Sequence, residues 1–158
     1  MGMKSLFSRL SPGAEMIQIE PETLNPQAVF VEFEKSLDLS KSGACTQFIG
    51  YMRDFNDDLE VQTMTLEHYP GMTEKALQKI EDEARGKWSL NAVLIVHRVG
   101  PLKPSDPIVL VAAWSAHRNE AFLACRYLIE ELKHRAPFWK KELTDTGERW
   151  VAENTPVD

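Results

Sequence analysis

The amino-acid sequence predicts a single α+β domain with mostly antiparallel sheets and about three helices. The chain has 158 residues, 43% of them hydrophobic and 27% charged, which is enough for one domain with a real core and short for two. Three segments carry apolar residues at helical spacing, and they alternate with β-rich runs joined by turn residues. No internal repeat or linker separates these segments. Helices and hairpins interspersed in this order are typical of the α+β class.

The first predicted elements are a helix and two strands. Asn25 is a suitable N-cap and Pro26 a suitable first helical residue. Residues 43–53 are β-like, residues 55–58 supply a turn, and residues 59–69 alternate as expected for a returning strand. The apolar face of the helix is predicted to consist of Val29, Phe30, Phe33 and Leu37.

A second helix and a long-looped hairpin follow. Residues 69–71, with the sequence Tyr-Pro-Gly, form a turn, and Thr73 is expected to cap the helix after it. The β-rich runs 91–100 and 107–115 are joined by a segment punctuated by prolines, so they are interpreted as a hairpin. The inner face of the second helix is predicted to consist of Leu77, Ile80, Ala84 and Trp88.

The third helix is predicted to begin at Asn119 or Ser115 and to end before Pro137, because the residue before a proline is pushed out of the helical region. Residues 144–158 are interpreted as a turn and an extended tail. The apolar stripe of this helix is predicted to consist of Ala121, Phe122, Cys125, Leu128, Ile129 and Leu132.

The domain is predicted to occupy residues 17–150, between a flexible leader at 1–16 and a tail at 151–158. The apolar part of the leader is too short for a signal peptide, and a transit peptide is the weaker alternative. The two cysteines, Cys45 and Cys125, are too few for a disulfide scaffold and are interpreted as small buried hydrophobic residues. A reducing, cytoplasmic setting fits this cysteine usage.

Composition excludes some classes of protein. The formal net charge of −6 argues against a general nucleic-acid binder, which is usually basic over the whole domain. No apolar run approaches the roughly 20 residues of a membrane span. The sequence has none of the glycine-rich nucleotide motifs, no G-x-S-x-G and no H-E-x-x-H, and neither cysteine has metal-site spacing. We therefore expect no cofactor and no metal.

The acidic chain nevertheless concentrates basic residues in the segment LKHRAPFWKK, residues 132–141. Lys133, His134 and Arg135 fall in the predicted last turn of the third helix, where cations interact favourably with the helix dipole. This structural role is the favoured interpretation of His134 and Arg135. Lys140 and Lys141 lie beyond the proline and gain nothing from that helix end.

The aromatic residues Phe138 and Trp139 can anchor this segment against the core. A lysine beside such anchors can be held in a partly dry pocket, where desolvation and neighbouring cations lower its pKa. Such a lysine can act as a nucleophile or as a general acid–base.

A second candidate is SAHRNEAF, residues 115–122, at a strand-to-helix junction. Ser115, His117 and Arg118 stand where free N–H groups and the dipole favour anions, so a phosphate site and an ordinary capping role are equally plausible here. Arg53, at the end of the first strand, is more plausible as an exposed rim residue, and His97 as a satisfied core histidine. The residues together predict an anion pocket that consists of Arg53, His117, Arg118, Lys133 and Lys140.

Five segments in order carry a resemblance to a known family. The combination of S-A-H-R with the later K-x-R-A-P-F-W-K is specific, whereas any one of the motifs alone is not. The chain resembles the large, catalytic subunit of molybdopterin synthase, the MoaE family, from about Gly43 to Trp150. The segments are GACTQFIGYMR, LEHYPGMTEKAL, VLIVHRVGPLKPSD, SAHRNEAF and LKHRAPFWKKE.

The resemblance implies a sulfurtransferase of molybdenum cofactor biosynthesis. The family converts cyclic pyranopterin monophosphate into molybdopterin by installing two sulfurs as a dithiolene. The sulfur arrives as a thiocarboxylate on the C-terminus of a small ubiquitin-like subunit, whose tail threads into the pocket of the large subunit. The family forms a homodimer of large subunits within a heterotetramer, and its fold is of the α/β-hammerhead type.

The resemblance also implies roles for individual residues. Lys133 and Lys140 match the two active-site lysines of the family, and Lys140 is expected to be the more critical, as an acid–base or as a transient covalent handle. A larger set matches residues of the substrate pocket, with Glu142 expected to orient a lysine. This set consists of Tyr51, Met52, Arg53, His117, Arg118, Lys141 and Glu142.

Three departures from the family pattern bear on the pocket. Trp114 and Met52 stand where the family more often has smaller residues and valine. The tail AENTPVD lacks the basic residues that often reach the neighbouring subunit, although Arg149 could serve instead. Two rival functions stay open at this point, a non-catalytic module that binds a phosphorylated small molecule and a small RNA-binding domain that uses APFWKK as a stacking surface.

Overall fold

The computed structural model describes residues 14–151, so residues 1–13 of the predicted leader and 152–158 of the predicted tail lie outside the described residues. A single 3₁₀ turn at Leu39–Lys41 is the only helical segment of that kind among them. The strands are β1 (Glu15–Glu20), β2 (Ala44–Tyr51), β3 (Phe55–Asn56), β4 (Leu59–His68), β5 (Leu90–Arg98), β6 (Gly100–Leu102), β7 (Pro107–Ser115), β8 (Phe138–Thr144) and β9 (Gly147–Val151). The helices are α1 (Pro26–Lys35), α2 (Met72–Lys87) and α3 (Arg118–Arg135).

The strands form two sheets, and the fold is α+β as the sequence predicts. The first sheet has the order β1-β5-β7-β2, with β1 parallel to β5 and the other neighbours antiparallel. The second has the order β3-β4-β8-β9, and the short β6 also pairs with β4. The predicted hairpin of β5 and β7 is confirmed.

Helices cover both faces of the first sheet. Alternate side chains of β5 and β7 point to opposite faces, and nearly all of them are buried. One face packs against α2 and α3, and the other packs against α1, where Phe33 lies 5.4 Å from the ring of Trp114. Both central strands are therefore nearly continuous apolar runs, as expected when no face meets water.

The first two helices begin close to the predicted residues. The Asn25 side chain accepts a hydrogen bond from the Ala28 N–H at 3.1 Å, which confirms the predicted cap. The prediction that Thr73 caps α2 is wrong, because the N-cap is Gly71, at a φ of 84° that favours glycine. Glu74 accepts a hydrogen bond from the Gly71 N–H at 2.6 Å and so satisfies this helix end.

The predicted start of α3 is also wrong. The N-cap is His117, whereas Ser115 is the last residue of β7 and donates its hydroxyl to Glu120 at 2.8 Å. The apolar stripe is correct except at Phe122, which is 61% exposed, and Ala124 is buried in its place. The helix ends at Arg135, directly before Ala136 and Pro137, as predicted.

Three long-range features differ from the predictions. The returning strand β4 pairs with β3, β6 and β8, while β2 pairs with β7. The segment after α3 forms a hairpin of β8 and β9, so the predicted extended tail contains a strand. Residues 15 and 16 of the predicted leader belong to β1, where Glu15 accepts a hydrogen bond from Gln78 of α2 at 3.0 Å.

The structure also bears on the two cysteines, on possible metal ligands and on membrane-spanning helices. Cys125 is buried as predicted. The prediction for Cys45 is wrong, because this residue, on the edge strand β2, is exposed. Within residues 14–151 no group of three potential metal ligands comes together. None of the helices in the same range is long and apolar enough to cross a bilayer.

Candidate active site

The corner between α3 and β8 brings two lysines into one cavity. Pro137 ends the helix, and the chain turns directly into β8. Lys133 in the last turn of α3 and Lys140 in β8 both line a cavity of about 120 Å³. The rest of its wall comes from the end of β2 with the residues after it, from β3, from the buried side of β4, and from single residues of β7, β8 and β9. Its lining residues are Tyr51, Met52, Arg53, Phe55, Asn56, Val61, Met64, Ile108, Lys133, Lys140, Glu142 and Val151.

Strand alternation separates the basic residues of β8 into two groups. Lys140 and Glu142 line the cavity, whereas Lys141 is on the outer face of the sheet. There Lys141 forms an ion pair with Glu148 at 3.1 Å, and its ammonium lies 5.8 Å from the ring of Trp150. The structure therefore brings Glu142 into the predicted site but does not bring Lys141 there.

The two lysines of the cavity have lowered pKa values. Burial, and then the charge of Lys140, lowers the pKa of Lys133 to about 8. Burial also lowers the pKa of Lys140, where the negative charge of Glu142 opposes the shift and Arg53 adds to it. A lysine whose pKa lies near neutrality can both donate and accept a proton at physiological pH.

Glu142 is held rigidly at the cavity wall. It is 4% exposed, and its carboxylate accepts hydrogen bonds from the Asn56 amide at 2.8 Å and from Arg149 Nε at 3.1 Å. Arg149 also donates to the Asn56 carbonyl at 3.1 Å and lies 3.5 Å from Asp57. This network fixes the charge of Glu142 beside Lys140. It also engages Arg149 in contacts with residues of its own chain.

The end of β2 supplies the third cation of the cavity. Met52 is buried and its backbone is fixed by hydrogen bonds to Ser105 and Asp106. Arg53 and Tyr51 are exposed, and the Arg53 guanidinium lies 4.7 Å from the centre of the Phe55 ring. Arg53 is thus a rim residue that is held over an aromatic face while it lines the cavity.

His117 and Arg118 lie at the other end of α3. They line a separate depression of about 470 Å³ together with Gly43, Ala116 and Asn119. An 18-residue helix is on the order of 27 Å long, so one chain does not bring this pair to the lysine cavity.

Two other basic residues of the segment 132–141 lie outside the cavity. Arg135 forms ion pairs with Glu131 at 3.0 Å and with Glu83 of α2. His134 is exposed. These positions agree with the structural role that the sequence favoured for both residues.

The prediction that His97 is a satisfied core histidine is confirmed, because its ring is buried and Nδ1 lies 2.7 Å from the Arg98 carbonyl oxygen, but the sequence did not place it beside the lysines. His97 is 2% exposed, yet it lines a small cavity directly behind the two lysines, together with Phe138. Its ring stacks on Phe138 with 3.8 Å between centroids. The sequence signal for this location was a histidine in an otherwise apolar strand. The sequence also missed Asn56, whose position in a polar turn gave no sign that it reaches Glu142.

Comparisons with known proteins point to one family. The family model described as MoaE protein matches residues 19–135. The chain is 59% identical over 109 residues to the molybdopterin synthase catalytic subunit of Pseudomonas aeruginosa, covering 69% of this chain and 73% of the relative. It is 48% identical over 126 residues to the subunit of the same description from Escherichia coli K12, covering 80% and 84%.

Solved structures agree in fold. The molybdopterin biosynthesis MoaE protein from Burkholderia ambifaria has a TM-score of 0.73 and 44% identity, with 89% of this chain and 91% of that chain covered. Molybdopterin synthase from Staphylococcus aureus has a TM-score of 0.76 and 34% identity, with 85% and 96% covered. These likenesses support the hammerhead-type α+β fold. Because the family model spans most of the chain and relatives are up to 59% identical, the chain belongs to the MoaE protein family.

Proposed function

We propose that the chain is the catalytic subunit of a cytoplasmic molybdopterin synthase and that Lys133 and Lys140 carry its chemistry. The single observation behind the residue assignment is the cavity in which these two desolvated lysines meet Arg53. The substrate, cyclic pyranopterin monophosphate, carries a phosphate, and the sulfur donor carries a terminal thiocarboxylate. Fixed cations in a partly dry cavity can hold two such anions and aim the sulfur at the pterin side chain.

The two lysines have different parts in this proposal. Lys133, with a pKa of about 8, is poised to give and take a proton near neutral pH. The pKa of Lys140 is lowered by burial, raised by the charge of Glu142 and lowered by that of Arg53, so the two neighbouring charges act on its proton in opposite directions. Lys140 contacts the donor or the pterin directly, as an acid–base or as a transient covalent handle.

The sulfur donor is a small ubiquitin-like subunit whose C-terminal tail threads into the cavity. Family membership supports this partner. A solved structure from Helicobacter pylori, described as a complex of subunits 1 and 2 of molybdopterin-converting factor, has a TM-score of 0.72 at 20% identity, with 87% of this chain and 91% of that chain covered. That likeness bears on the fold alone.

His117 and Arg118 serve the cavity of a second copy of the chain. β2 is the edge strand of its sheet, with Ala44 opposite Ser115 at one end and Tyr51 beside the cavity at the other. If two copies join antiparallel along β2, the beginning of one strand meets the end of the other. Such a homodimer places the His117–Arg118 pair of one copy near the Arg53 side of its partner, and one donor subunit at each end completes a heterotetramer.

An anaerobic single-turnover assay tests the proposal. The native protein, mixed with cyclic pyranopterin monophosphate and thiocarboxylated small subunit, is expected to form the dithiolene product. Lys140→Ala is expected to slow this step by about 100-fold or more while binding both reactants almost normally. Lys141→Ala is the matched control, because its side chain is on the outer face of the same strand.

The outcomes separate the enzyme from a binding module. Product from the native protein together with a slow Lys140→Ala variant supports the synthase. A loss of binding in proportion to the loss of product would instead assign Lys140 to binding. Absence of product from native protein that binds both reactants would reject the enzyme function for this chain.

Mixed dimers test the contribution in trans. Lys140→Ala and Arg118→Ala homodimers are each expected to be slow. Subunit exchange between them creates dimers with one intact cavity, so roughly a quarter of the native activity should return. If activity does not recover after subunit exchange is confirmed, Arg118 does not serve the cavity of the partner. It then acts at the cavity of its own chain or at neither cavity.

A further inference from the structure

His97 lies directly behind the lysine pair, at the inner end of the site. It belongs to β5, in the middle of the first sheet, where it is paired with Ile19 of β1 and Val109 of β7. Its side chain lines a cavity of about 20 Å³, and both lysines line the same cavity. A cavity of this size has room for one water molecule. The space that His97 shares with the lysines is therefore large enough for one water molecule that bridges the imidazole and a lysine.

The tautomer of His97 is set by its backbone contact. Nδ1 lies 2.7 Å from the carbonyl oxygen of Arg98, which can only accept a hydrogen bond. Nδ1 must therefore carry the hydrogen, and Nε2 of the neutral ring is an acceptor. The stack on Phe138 fixes the plane of the ring, so the direction of this acceptor is fixed as well.

The groups that surround His97 keep the ring neutral. Lys133 faces it from α3, Lys140 from β8, and His68 from β4 on the far side of Phe138. Burial, then the charges of Lys133 and Lys140, lowers the pKa of His97 to about 3. The imidazole is thus an acceptor throughout the physiological range, and it does not compete for the proton of the lysine.

We propose that His97 is a positioning residue for Lys133, whose ammonium it holds through one buried water molecule that donates to Nε2. This inference rests on the proposed function and specifies how the site tunes its lysine. Burial by itself disfavours the ammonium, and a fixed acceptor chain partly restores it. The balance keeps Lys133 protonated enough to hold an anion and ready to release the proton when the substrate requires it.

The titration of Lys133 tests the proposal without reference to activity. Protein labelled with ¹³C at the lysine Cε is titrated by NMR, and the Lys133 signal is assigned by its loss in Lys133→Met. His97→Asn keeps a donor for the Arg98 carbonyl but has no acceptor at the position of Nε2. It is expected to lower the Lys133 pKa by about one pH unit, because the ammonium loses its acceptor chain.

Two further variants make the result specific. His97→Gln restores an acceptor at the reach of Nε2 and is expected to return the Lys133 pKa most of the way to the native value. His68→Gln is the matched control, since His68 also contacts Phe138 but does not line the cavity. It is expected to leave the Lys133 titration unchanged.

Each outcome has a clear meaning. An unchanged Lys133 titration in folded His97→Asn overturns the inference, and so does an equal fall in His97→Gln. If His97→Asn does not fold, His97→Gln decides, because a full downward shift there contradicts the acceptor role. In the single-turnover assay, the alkaline fall in rate should move to lower pH with the Lys133 pKa. A native protein without synthase activity rejects the proposed function but leaves the titration test intact.

Discussion

Lys133 and Arg135 are two residues apart in the last turn of α3, and their environments are opposite. Lys133 points into the cavity, where burial lowers its pKa to about 8. Arg135 points outward to Glu83 and Glu131, and these carboxylates raise its pKa. Lys140 and Lys141 repeat the contrast across the two faces of β8. The face of the element, and not the density of charge in the sequence, decides whether a basic residue lines the cavity or forms an ion pair at the surface.

The largest expected effect is on turnover. Lys133→Met removes the group that we propose transfers a proton while keeping the length of the side chain, so the single-turnover rate should fall by about 100-fold or more. Arg135→Met, two residues further on, should leave the rate close to native. A comparable loss in both variants would show that the helix end as a whole, and not the cavity, sets the rate.

Lys133→Met, which should slow turnover, is expected to increase the stability of the fold. Lys133→Met relieves the burial of a charge, and the free energy of unfolding at pH 7 should rise by about 1 to 3 kcal/mol. Arg135→Met breaks two ion pairs and should lower it slightly. Urea denaturation of both variants measures the difference, and a destabilised Lys133→Met would mean that the buried ammonium contributes more than it costs.

The pH dependence of this gain checks its cause. The folded-state pKa of Lys133, about 8, is below the ordinary lysine value of 10.5. Between these values the unfolded chain binds more protons than the folded one, so native stability rises with pH. The cost of the buried charge is fully present below about pH 8 and is lost by pH 10.5. The advantage of Lys133→Met should therefore shrink across this window, and a constant advantage would point to packing instead of charge.

A smaller effect is expected from two carboxylates of the β8–β9 hairpin. Glu142→Gln turns an acceptor into a donor that faces Asn56 or Arg149, and should cost about 1 to 2 kcal/mol of stability. It should also lower the pKa of Lys140 further, because the opposing negative charge is gone. Glu148→Gln, which breaks only the exposed pair with Lys141, should be nearly neutral in thermal denaturation. Equal losses of stability in Glu142→Gln and Glu148→Gln would show that the buried hydrogen bonds of Glu142 contribute no more than the exposed ion pair.

The smallest effect is a salt dependence. The pair between Arg135 and Glu83 lies at the surface, where ions screen it. Arg135→Met should therefore lower the Tm slightly in dilute buffer and not measurably at 1 M salt. The stabilisation by Lys133→Met, which acts in a buried cavity, should persist in both solutions. Loss of both effects at high salt would remove the distinction between the two environments.

Local signals in the sequence predict much of the fold. The Asn25 cap, the Pro137 stop and the apolar runs of β5 and β7 depend on neighbours in the chain, so spacing alone finds them. The N-caps of α2 and α3 are displaced by two residues from the predicted ones. The α2 cap is a glycine at positive φ and the α3 cap is a histidine without a side-chain cap bond, so neither shows the usual polar cap signal. The strand β8 was missed because its charged residues, Lys140, Lys141 and Glu142, are consecutive and hide its alternation.

The site was predicted less completely, because it depends on contacts between distant segments. Chemistry and the resemblance predict the lysines and Arg53 as site residues, and the structure places all three at one cavity. Lys141 lies outside this cavity, because alternation along β8, a strand that the sequence did not reveal, puts its side chain on the outer face. The reach of Asn56 to Glu142 and the presence of His97 behind the lysines follow from the pairing of β4 with β8 and from the packing of β5. No spacing rule in one sequence contains that information.

The pairing of β4 with β8 also has a consequence for the synthesis of the chain. β4 carries the buried residues Val61, Met64 and Leu66, yet its main partner begins only at Phe138, near the C-terminal end. A nascent chain therefore presents an unpaired, half-apolar strand edge until residues 138–144 have been synthesised. Because β8 supplies Lys140 and Glu142 to its wall, the cavity can close only after β8 has emerged. A ribosome-bound fragment that ends after α3 should therefore associate with chaperones more than one that also contains β8 and β9.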